Sequence, residues 1–293
     1  MSENKLKVLF IAGCGRSGTT VLGQLLGEVE KWLNVGEAVR YLFDRSKELP
    51  CGCGASAFEC SLWKDIIGSI PSDVAQKATQ ALRIRNFPSL YMRTRNQQVP
   101  EGFQPILDTI SSAYSKVAQA TGCDVIVDTS KYPGTALLAS LIPDVELHVV
   151  HVVRSPHSVI ASWTSKKGYL AVHPPSKVVT WWWAYNVLSE ALKSRCQTYR
   201  LVRYEDFARD PGTVLSQITA DVMGEPVPLP FMNGNTATVH VQHSLAGNPS
   251  KFNTGEIKIQ EGGKSAPKRK LLMDLLTFPL QARYHYLPAT QKP

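Results

Sequence analysis

The sequence predicts an α/β fold in which helices flank a central parallel sheet. Short apolar segments rich in β-branched residues alternate along the chain with longer amphipathic segments, as expected when strands and helices follow one another. The first apolar segment runs directly into a glycine-rich loop and then a helical pattern, and polar residues stand where other apolar segments end. These observations favour one sheet whose strand ends carry the functional residues.

The apolar and amphipathic patterns give the order of strands and helices. The strands are expected at residues 6–12, 123–128, 145–153 and 199–204. The helices are expected at residues 19–31, 102–120, 133–141, 156–166 and 176–194. Right-handed crossovers between parallel strands would bring the loop at residues 13–18, Asp128 and Arg154 to one edge of the sheet.

The length of 293 residues suits one α/β domain, and we expect residues 1–293 to form one. Residues 44–100 have the pattern of an irregular insertion with short helices. Residues 224–265 contain many Gly, Pro and Asn and little periodicity, which is typical of a functional loop.

The chain carries 32 Lys and Arg against 24 Asp and Glu, a net charge of +8, which favours anionic ligands. This charge is spread along the chain, so we expect no nucleic-acid partner. No apolar run reaches 18 residues, which predicts no membrane span, and no secretory signal precedes the first strand. We therefore expect a cytoplasmic protein whose cysteines are mostly reduced.

Residues 13–20, with the sequence GCGRSGTT, form a P-loop-like element between the first strand and helix. Glycines let the backbone approach a phosphate closely, and a helix N-terminus attracts negative charge. A nucleoside triphosphatase would have lysine at the position of Thr19, whereas here Arg16 supplies the cation. Because phosphoryl transfer ordinarily needs Mg²⁺ to neutralise charge, the missing lysine favours sulfuryl transfer over the alternative, a small-molecule kinase.

A second candidate anion site follows the strand at residues 145–153. Arg154 ends that strand, and Ser162 lies about two turns into the next helix, which has Pro156 in its first turn. Arg154 can bind a phosphate through its planar guanidinium while Ser162 donates a hydroxyl from the same side. A ligand with two phosphate groups on one adenosine fits a pair of neighbouring anion sites.

These two motifs, in this order, resemble those of sulfotransferases that use 3′-phosphoadenosine 5′-phosphosulfate (PAPS), especially of the bacterial type. The CGRSGTT loop is similar to the 5′-phosphosulfate loop of that family, and Arg154 with Ser162 is similar to its 3′-phosphate site. The resemblance extends from Leu6 to about Tyr286. It implies a P-loop-like fold and transfer of a sulfuryl group from PAPS, with release of 3′-phosphoadenosine 5′-phosphate (PAP) and without a metal.

The resemblance also implies roles for individual residues around the nucleotide. The first loop would bind it through Gly15, Arg16, Ser17, Gly18, Thr19 and Thr20. Tyr204 opens a Tyr-Glu-Asp element whose tyrosine contacts the adenine in the family. Asn248, Lys251 and Gly255 belong to a late loop, about residues 240–265, that is similar to the loop closing over the nucleotide in bacterial members. Lys251 stands where the family usually has arginine, so we expect a less oriented phosphate contact.

Glu37 is the expected catalytic base. It lies in a Gly-Glu element similar to one in tyrosylprotein and bacterial sulfotransferases, where the glutamate takes the proton of the acceptor. Arg16 and Lys131 would stabilise the transferred group and the leaving phosphate. The alternatives are that Glu37 is a helix N-terminal charge, that Lys131 is solvated, and that His157 is a donor near the site.

Two groups of residues suggest functions that the sequence supports less well. Cys51, Cys53 and Cys60 could supply three zinc ligands, but no fourth is obvious nearby, so we expect a structural loop with free thiols. The tryptophans at residues 181–183 point about 100° apart on one helix, so at least one is expected in the core, and the sequence does not tell which of them, if any, lines the acceptor pocket. The core is also expected to contain His148 and His151.

The expected acceptor is a small molecule with a hydroxyl or an amine. Its binding walls are expected in the insertion at residues 44–100 and in residues 167–180, which lie outside the nucleotide motifs. The sequence does not indicate an oligomeric state. A non-catalytic anion-binding module is a further alternative, in which Glu37 would have no chemical role.

Overall fold

The computed structural model describes residues 5–44, 50–165, 171–260 and 270–286. The main sheet consists of β1 (Leu6–Ala12), β2 (Trp32–Gly36), β3 (Val125–Asp128), β4 (Val145–Val153) and β5 (Thr198–Arg203). These strands are parallel and lie in the order β2-β3-β1-β4-β5. The predicted α/β fold with a P-loop-like parallel sheet is confirmed.

Helices connect these strands and cover both faces of the sheet. They are α1 (Thr19–Leu26), α2 (Ala38–Phe43), α3 (Lys64–Gly68), α4 (Ser72–Ala81), α5 (Phe87–Arg93), α6 (Gln104–Thr121), α7 (Pro133–Ala139), α8 (Pro156–Thr164), α9 (Pro175–Glu190), α10 (Tyr204–Arg209), α11 (Pro211–Met223) and α12 (Lys270–Arg283). Short 3-10 helices occur at Ile84–Asn86, Ala191–Ser194 and Pro249–Phe252. A small antiparallel sheet contains β6 (Met232–Asn233), β7 (Thr236–Val239) and β8 (Gly255–Lys258).

The alternation of side chains along each strand divides the core into two layers. In β1, Val8 and Phe10 face the layer formed by α2 to α7, whereas Leu9 and Ile11 face α1, α11 and the small sheet. All four side chains are buried. Burial on both faces explains why the strands are nearly continuous apolar runs in the sequence.

A third apolar cluster lies beyond the carboxyl end of β4. It joins α8, α9 and α12 through residues that include Ile160, Trp182 and Leu280. Trp182 is completely buried, and its indole Nε1 donates a hydrogen bond to the carbonyl oxygen of Arg154, 3.0 Å away. This packing fixes the backbone at the end of β4, where the candidate site begins.

The predicted strands at residues 6–12 and 145–153 have the bounds found in the structure. The prediction of a helix at residues 19–31 was wrong for its second half. The helix α1 ends at Leu26, and the chain turns at Gly27 toward β2. A Cβ on Gly27 would lie 2.7 Å from that of Asn34, so close packing of the turn against β2 requires glycine. Strand β2 and the small sheet were not predicted.

Residues 44–100, where an insertion was expected, contain α3, α4, α5 and the 3-10 helix at Ile84–Asn86. Part of the expected acceptor wall at residues 167–180 lies outside the described residues, because these resume at residue 171. Within the described ranges, no helix is both long and apolar enough to cross a membrane.

Candidate active site

The five parallel strands bring five functional segments to one edge of the main sheet. Glu37 follows β2, Lys131 lies three residues beyond β3, the loop at residues 13–18 follows β1, Arg154 follows β4 and Tyr204 follows β5. The sequence predicted this edge for the loop, Asp128 and Arg154. The structure adds that Glu37 and Tyr204 reach the same edge from the two outer strands.

The loop after β1 is held in a tight conformation around Gly18. Gly18 has a φ of +90°, and a Cβ at this position would lie well inside van der Waals contact of the Tyr204 ring. Ser17 is completely buried below the loop. Helix α1 begins at Thr19, so its first backbone N–H groups point toward the loop, where they can bind an anion.

Arg154 lies against the same loop. Its Nη1 donates a hydrogen bond to the carbonyl oxygen of Arg16 at 2.9 Å. Its guanidinium carbon lies 4.3 Å from the centre of the Tyr204 ring, within the range of a cation–π contact. The two anion sites predicted from the sequence are therefore adjacent, with the Tyr204 ring beside both.

Arg16 joins the loop to α8 and to the late loop. Its Nε donates to Ser162 Oγ at 3.0 Å, and its Nη1 donates to Asn248 Oδ1. Asn248 Nδ2 in turn donates to Thr20 Oγ1 at 3.1 Å. Ser162 thus contacts Arg16, whereas the sequence placed it with Arg154.

Glu37 is buried, with 3% of its surface exposed, between two cations. Lys131 Nζ donates to Glu37 Oε1, and Arg40 Nη1 donates to Glu37 Oε2 at 2.7 Å. Burial alone would raise the pKa of Glu37, but the charges of Lys131 and Arg40 outweigh it and hold this pKa below its ordinary value. The carboxyl group is therefore ionised at neutral pH.

Arg16 and Lys131 both adopt left-handed backbone conformations, with φ of 74° and 64°. Such conformations are unfavourable for residues with a side chain and tend to occur at functional sites, where the surrounding structure maintains them. In these conformations Lys131 contacts Glu37, and Arg16 contacts Ser162 and Asn248.

The sequence model described as "Sulfotransferase family" matches residues 9–225, about three quarters of the chain. The chain belongs to the sulfotransferase family. A search of curated proteins gave no match. Membership makes the protein a transferase of sulfuryl groups, and the matched residues include the loop after β1, Glu37, Lys131 and Arg154. The late loop with Asn248 and Lys251 follows the matched region.

A cavity of about 660 Å³ opens beside the first loop of this sulfotransferase. Its lining includes Glu37, Lys131 and Arg16, but Arg154 and Tyr204 are outside it. Arg16 therefore borders the cavity and also contacts Arg154, whose Nη1 donates to its carbonyl oxygen. A volume of this size suits a small organic molecule.

Several residues of the cavity were not predicted from the sequence. They are Arg40, Tyr41, Asp44, Arg83, Ile84, Arg85, Tyr132, Trp163 and Tyr185. Arg40 had a local signal, because it lies one helical turn after Glu37 and helix neighbours three residues apart can pair. Arg83 and Arg85 come from the insertion, which was expected to supply an acceptor wall. Trp181 also lines the cavity, which the sequence alone did not indicate.

Lys251 and Gly255 are not brought to Arg154. Lys251 Nζ donates to the carbonyl oxygen of Pro50 at 2.6 Å, and Gly255 is an exposed residue at the start of β8. The nucleotide contacts expected of these two residues stay predictions. Asn248 is the member of the late loop that contacts the site residues Arg16 and Thr20.

The predicted core positions of His148 and His151 are confirmed. His151 is completely buried between Tyr199 and Asn186, and burial lowers its pKa to about 4. His157 contacts Asp274 through Nε2 at 2.6 Å and therefore faces α12. None of these three histidines is therefore positioned to act as the catalytic base in place of Glu37.

Asp128 ends β3 but faces the interior. It is completely buried, its Oδ1 accepts from the backbone N–H of Ser130 at 2.7 Å, and its Oδ2 accepts from the hydroxyl of Tyr114 at 2.6 Å. Burial raises its pKa to about 6. Asp128 therefore shapes the turn that leads to Lys131, and it is not positioned as the Mg²⁺ ligand that a kinase would require.

Proposed function

We propose that the protein transfers a sulfuryl group from PAPS to a hydroxyl or an amine of a small-molecule acceptor and releases PAP. The observation that carries this proposal is the juxtaposition at one sheet edge of two anion sites and a cavity. The loop after β1 and Arg154 form the anion sites, and the cavity contains the carboxylate of Glu37 and the ammonium of Lys131. Donor and acceptor would meet at Arg16, between them.

Two buried polar atoms support a phosphate-bearing ligand between the loop after β1 and Arg154. Within the described ranges, Ser17 Oγ and Arg154 Nε are buried and have no hydrogen-bond partner. Buried donors without partners are rare in folded proteins, and they are expected where a ligand completes the hydrogen bonding. In our proposal the loop amides and hydroxyls of residues 15–20 bind the 5′-phosphate, and Arg154 binds the 3′-phosphate with the Tyr204 ring next to the adenine.

Glu37 acts as the base in this proposal. The acceptor oxygen or nitrogen forms a bond to sulfur while the bond from sulfur to the 5′-phosphate oxygen breaks, and the phosphate keeps that electron pair. The acceptor proton passes to Glu37. Each carboxylate oxygen has two acceptor positions, and the contacts with Lys131 and Arg40 use one on each, so an acceptor proton can still be received.

Lys131 links the proton transfer to the departure of the phosphate. In the described arrangement its ammonium pairs with Glu37 and lowers the pKa of that carboxyl. As negative charge develops on the leaving phosphate oxygen, Lys131 can interact with that oxygen instead, since the two sites flank the same strand ends. The pKa of Glu37 then rises at the moment when it receives the proton, which strengthens it as a base.

The cavity also favours a particular class of acceptor. Its walls combine aromatic rings, including Tyr132, Trp163 and Trp181, with the exposed guanidinium groups of Arg83 and Arg85. Aromatic faces bind planar or ring-shaped apolar groups, and guanidinium groups bind carboxylates, sulfates and phosphates. We therefore propose a hydroxylated or amine-bearing ring compound that also carries an anionic group.

The direct test is sulfation of an acceptor panel by the wild type and by Glu37→Gln, with product detected by mass spectrometry. We expect sulfated product with PAPS and no phosphorylated product with ATP. Glu37→Gln should lower kcat about 10²–10⁴-fold with little change in the KM for PAPS, because it removes a general base and not a nucleotide contact.

The exposed Glu225, in the turn after α11, offers a control substitution, Glu225→Gln, that should leave the kinetics unchanged. Full activity of Glu37→Gln would remove Glu37 from the chemistry. Phosphorylated product from ATP would contradict sulfuryl transfer.

A further inference from the structure

We propose that Cys51, Cys53, Cys60 and His243 bind a structural Zn²⁺. Their ligand atoms, three thiol sulfurs and one imidazole nitrogen, all lie within 4.8 Å of one another. The sequence showed only the three cysteines, and the apparent lack of a fourth ligand led us to expect free thiols and no metal. The fold supplies the fourth ligand from a segment that lies far along the chain.

The distances between the four ligand atoms fit a tetrahedron around zinc. Cys60 Sγ lies 3.6 Å from Cys51 Sγ, 3.8 Å from Cys53 Sγ and 3.2 Å from His243 Nδ1, and Cys51 Sγ lies 3.9 Å from the same nitrogen. Bonds of about 2.3 Å to sulfur and about 2.0–2.1 Å to nitrogen give edges of about 3.8 Å and about 3.6 Å in a regular tetrahedron. The sulfur pairs are far longer than a disulfide bond of about 2.05 Å.

The backbone holds the three cysteines on two short turns. The N–H of Gly54 donates to the carbonyl oxygen of Cys51 at 2.9 Å, and the N–H of Cys51 donates to that of Ala55 at 2.8 Å. The second turn is closed by Cys60 N–H, which donates to the carbonyl oxygen of Ser56 at 2.8 Å. Cys51 and Cys60 are buried, so the sulfur atoms converge in a largely dry interior.

Two hydrogen bonds position the histidine against these turns. The indole Nε1 of the buried Trp63 donates to the carbonyl oxygen of His243 at 2.6 Å. The N–H of Gly52 donates to the carbonyl oxygen of Ser244 at 2.9 Å. The backbone at His243 and Ser244 is therefore held against the segment that carries the cysteines, and this places the imidazole beside their sulfur atoms.

Lys251 supports the assignment through charge. Three thiolates and one neutral imidazole around Zn²⁺ carry a net charge of −1. Only 7% of the Lys251 surface is exposed, and its ammonium binds the carbonyl oxygen of Pro50, the residue before Cys51. A buried ammonium requires compensation, which an anionic zinc centre beside it would provide. This gives Lys251 a role at the metal site, away from Arg154.

Four protein ligands leave no open position, so the metal would be structural. It would tie the cysteine loop to the segment that continues to Asn248. In that segment the N–H of Leu245 donates to the carbonyl oxygen of Val35 at 3.0 Å, and the carbonyl oxygen of Leu245 accepts from the N–H of Glu37 at 2.8 Å. Zinc would thus anchor the segment that places Asn248 against Arg16 and Thr20.

The test is metal analysis of the full chain purified with a histidine-free tag and without chelators. We expect about one zinc per chain by mass spectrometry of the elements, and loss of most of it in Cys60→Ser and in His243→Ala. The matched controls His240→Ala and Cys196→Ser should retain the metal, since both residues lie outside the cluster. His243→Cys should also retain it, because a fourth thiolate replaces the imidazole.

Two further measurements on the wild type do not depend on whether the variants fold. Cobalt exchanged into the protein should give the intense visible bands of tetrahedral thiolate coordination, and alkylation of the three cysteines should be slow until a chelator is added. Zinc content below a tenth of an equivalent with no uptake on titration would overturn the proposal. Equal zinc in the wild type and in a folded His243→Ala would overturn it as well, and neither result bears on sulfuryl transfer.

Discussion

At the residue scale, the charge state of Glu37 depends on two neighbouring cations. The carboxyl is buried, which alone would favour its neutral form, and Lys131 and Arg40 keep it ionised. Its lowered pKa means that the contribution of this group to stability is present above its ordinary pKa of 4.5 and is lost as pH falls through the lowered value. Proton acceptance by Glu37 should follow the same dependence.

Replacing Arg40 tests this dependence directly. In Arg40→Met one cation is removed while burial persists, so the pKa of Glu37 rises and the acid limb of kcat/KM moves to higher pH, by about 1–3 units. The measurement is the pH profile of kcat/KM between about pH 4 and 8. Arg40→Lys keeps the charge and should keep the limb near its wild-type position. If the pH profiles of the wild type and Arg40→Met coincide, the acid limb of kcat/KM does not report the titration of Glu37.

Asp128 gives a second pH-dependent prediction, with the opposite sign. Its pKa is raised by burial from 3.8 to about 6, so its contribution to stability is full below pH 4 and is lost as pH rises through 6. Asp128→Asn cannot ionise. Relative to the wild type, its free energy of unfolding should therefore increase by about 2 kcal/mol between pH 4 and pH 7.

Denaturant unfolding at the two pH values measures this difference. The control is Asp124→Asn, which changes a half-exposed carboxylate that is paired with Lys31 at the surface. A difference between Asp128→Asn and the wild type that does not vary with pH would mean that Asp128 is not the titrating group.

Some residues of the site could be found from sequence and others could not. Arg16 and Arg154 follow apolar strands, so the geometry of parallel sheets was enough to place them together. His243 lies 183 residues after Cys60, and no local pattern connects the two. Lys251 was placed by resemblance at a phosphate, whereas the fold turns its side chain toward Pro50.

At the element scale, the loop after β1 and the start of α1 act together with Tyr204. Gly18 supplies the positive φ at the N-cap of α1 and leaves room for the Tyr204 ring. The ring also faces Arg154, so a displaced ring would disturb the proposed 3′-phosphate site. A small change in this turn should therefore affect both ends of the nucleotide.

Gly18→Ala should weaken PAP binding at least about tenfold and lower the melting temperature, because the added Cβ is strained at positive φ and meets the ring. Calorimetry and a thermal melt measure the two effects. Gly212→Ala is the control, since a Cβ there would meet only Asp210, at 3.9 Å. Unchanged PAP affinity in Gly18→Ala would show that the turn does not shape the nucleotide site.

Strand β4 could be predicted from the sequence and strand β2 could not, for physical reasons. Strand β4 is a long apolar run between turns, so its bounds were clear from the sequence. Strand β2 is a five-residue segment that follows a helix without a strong break, and its apolar residues at Trp32 and Val35 also fit a helical spacing. Its assignment depends on pairing with β3, which is a tertiary contact that propensity does not contain.

At the scale of the whole molecule, the parallel sheet is the framework that makes the site. Strands β1 to β5 each end at the edge where an anionic donor would lie, and the segments after them contribute Arg16, Glu37, Lys131, Arg154 and Tyr204. The net charge of +8 adds a long-range attraction for a highly charged nucleotide. Residues of the insertion and of the late loop line the cavity, and the proposed zinc would connect these two segments.

The central claim is that Arg154 binds the 3′-phosphate while the loop after β1 binds the 5′-phosphate. The most direct test is calorimetric binding of PAP and of adenosine 5′-phosphate, which lacks the 3′-phosphate, to the wild type, Arg154→Ala and the surface control Arg209→Ala. We predict that Arg154→Ala weakens PAP about 10–100-fold and leaves adenosine 5′-phosphate unchanged, since one charge-assisted contact is removed. Equal losses for both nucleotides, or no loss for PAP, would contradict the account.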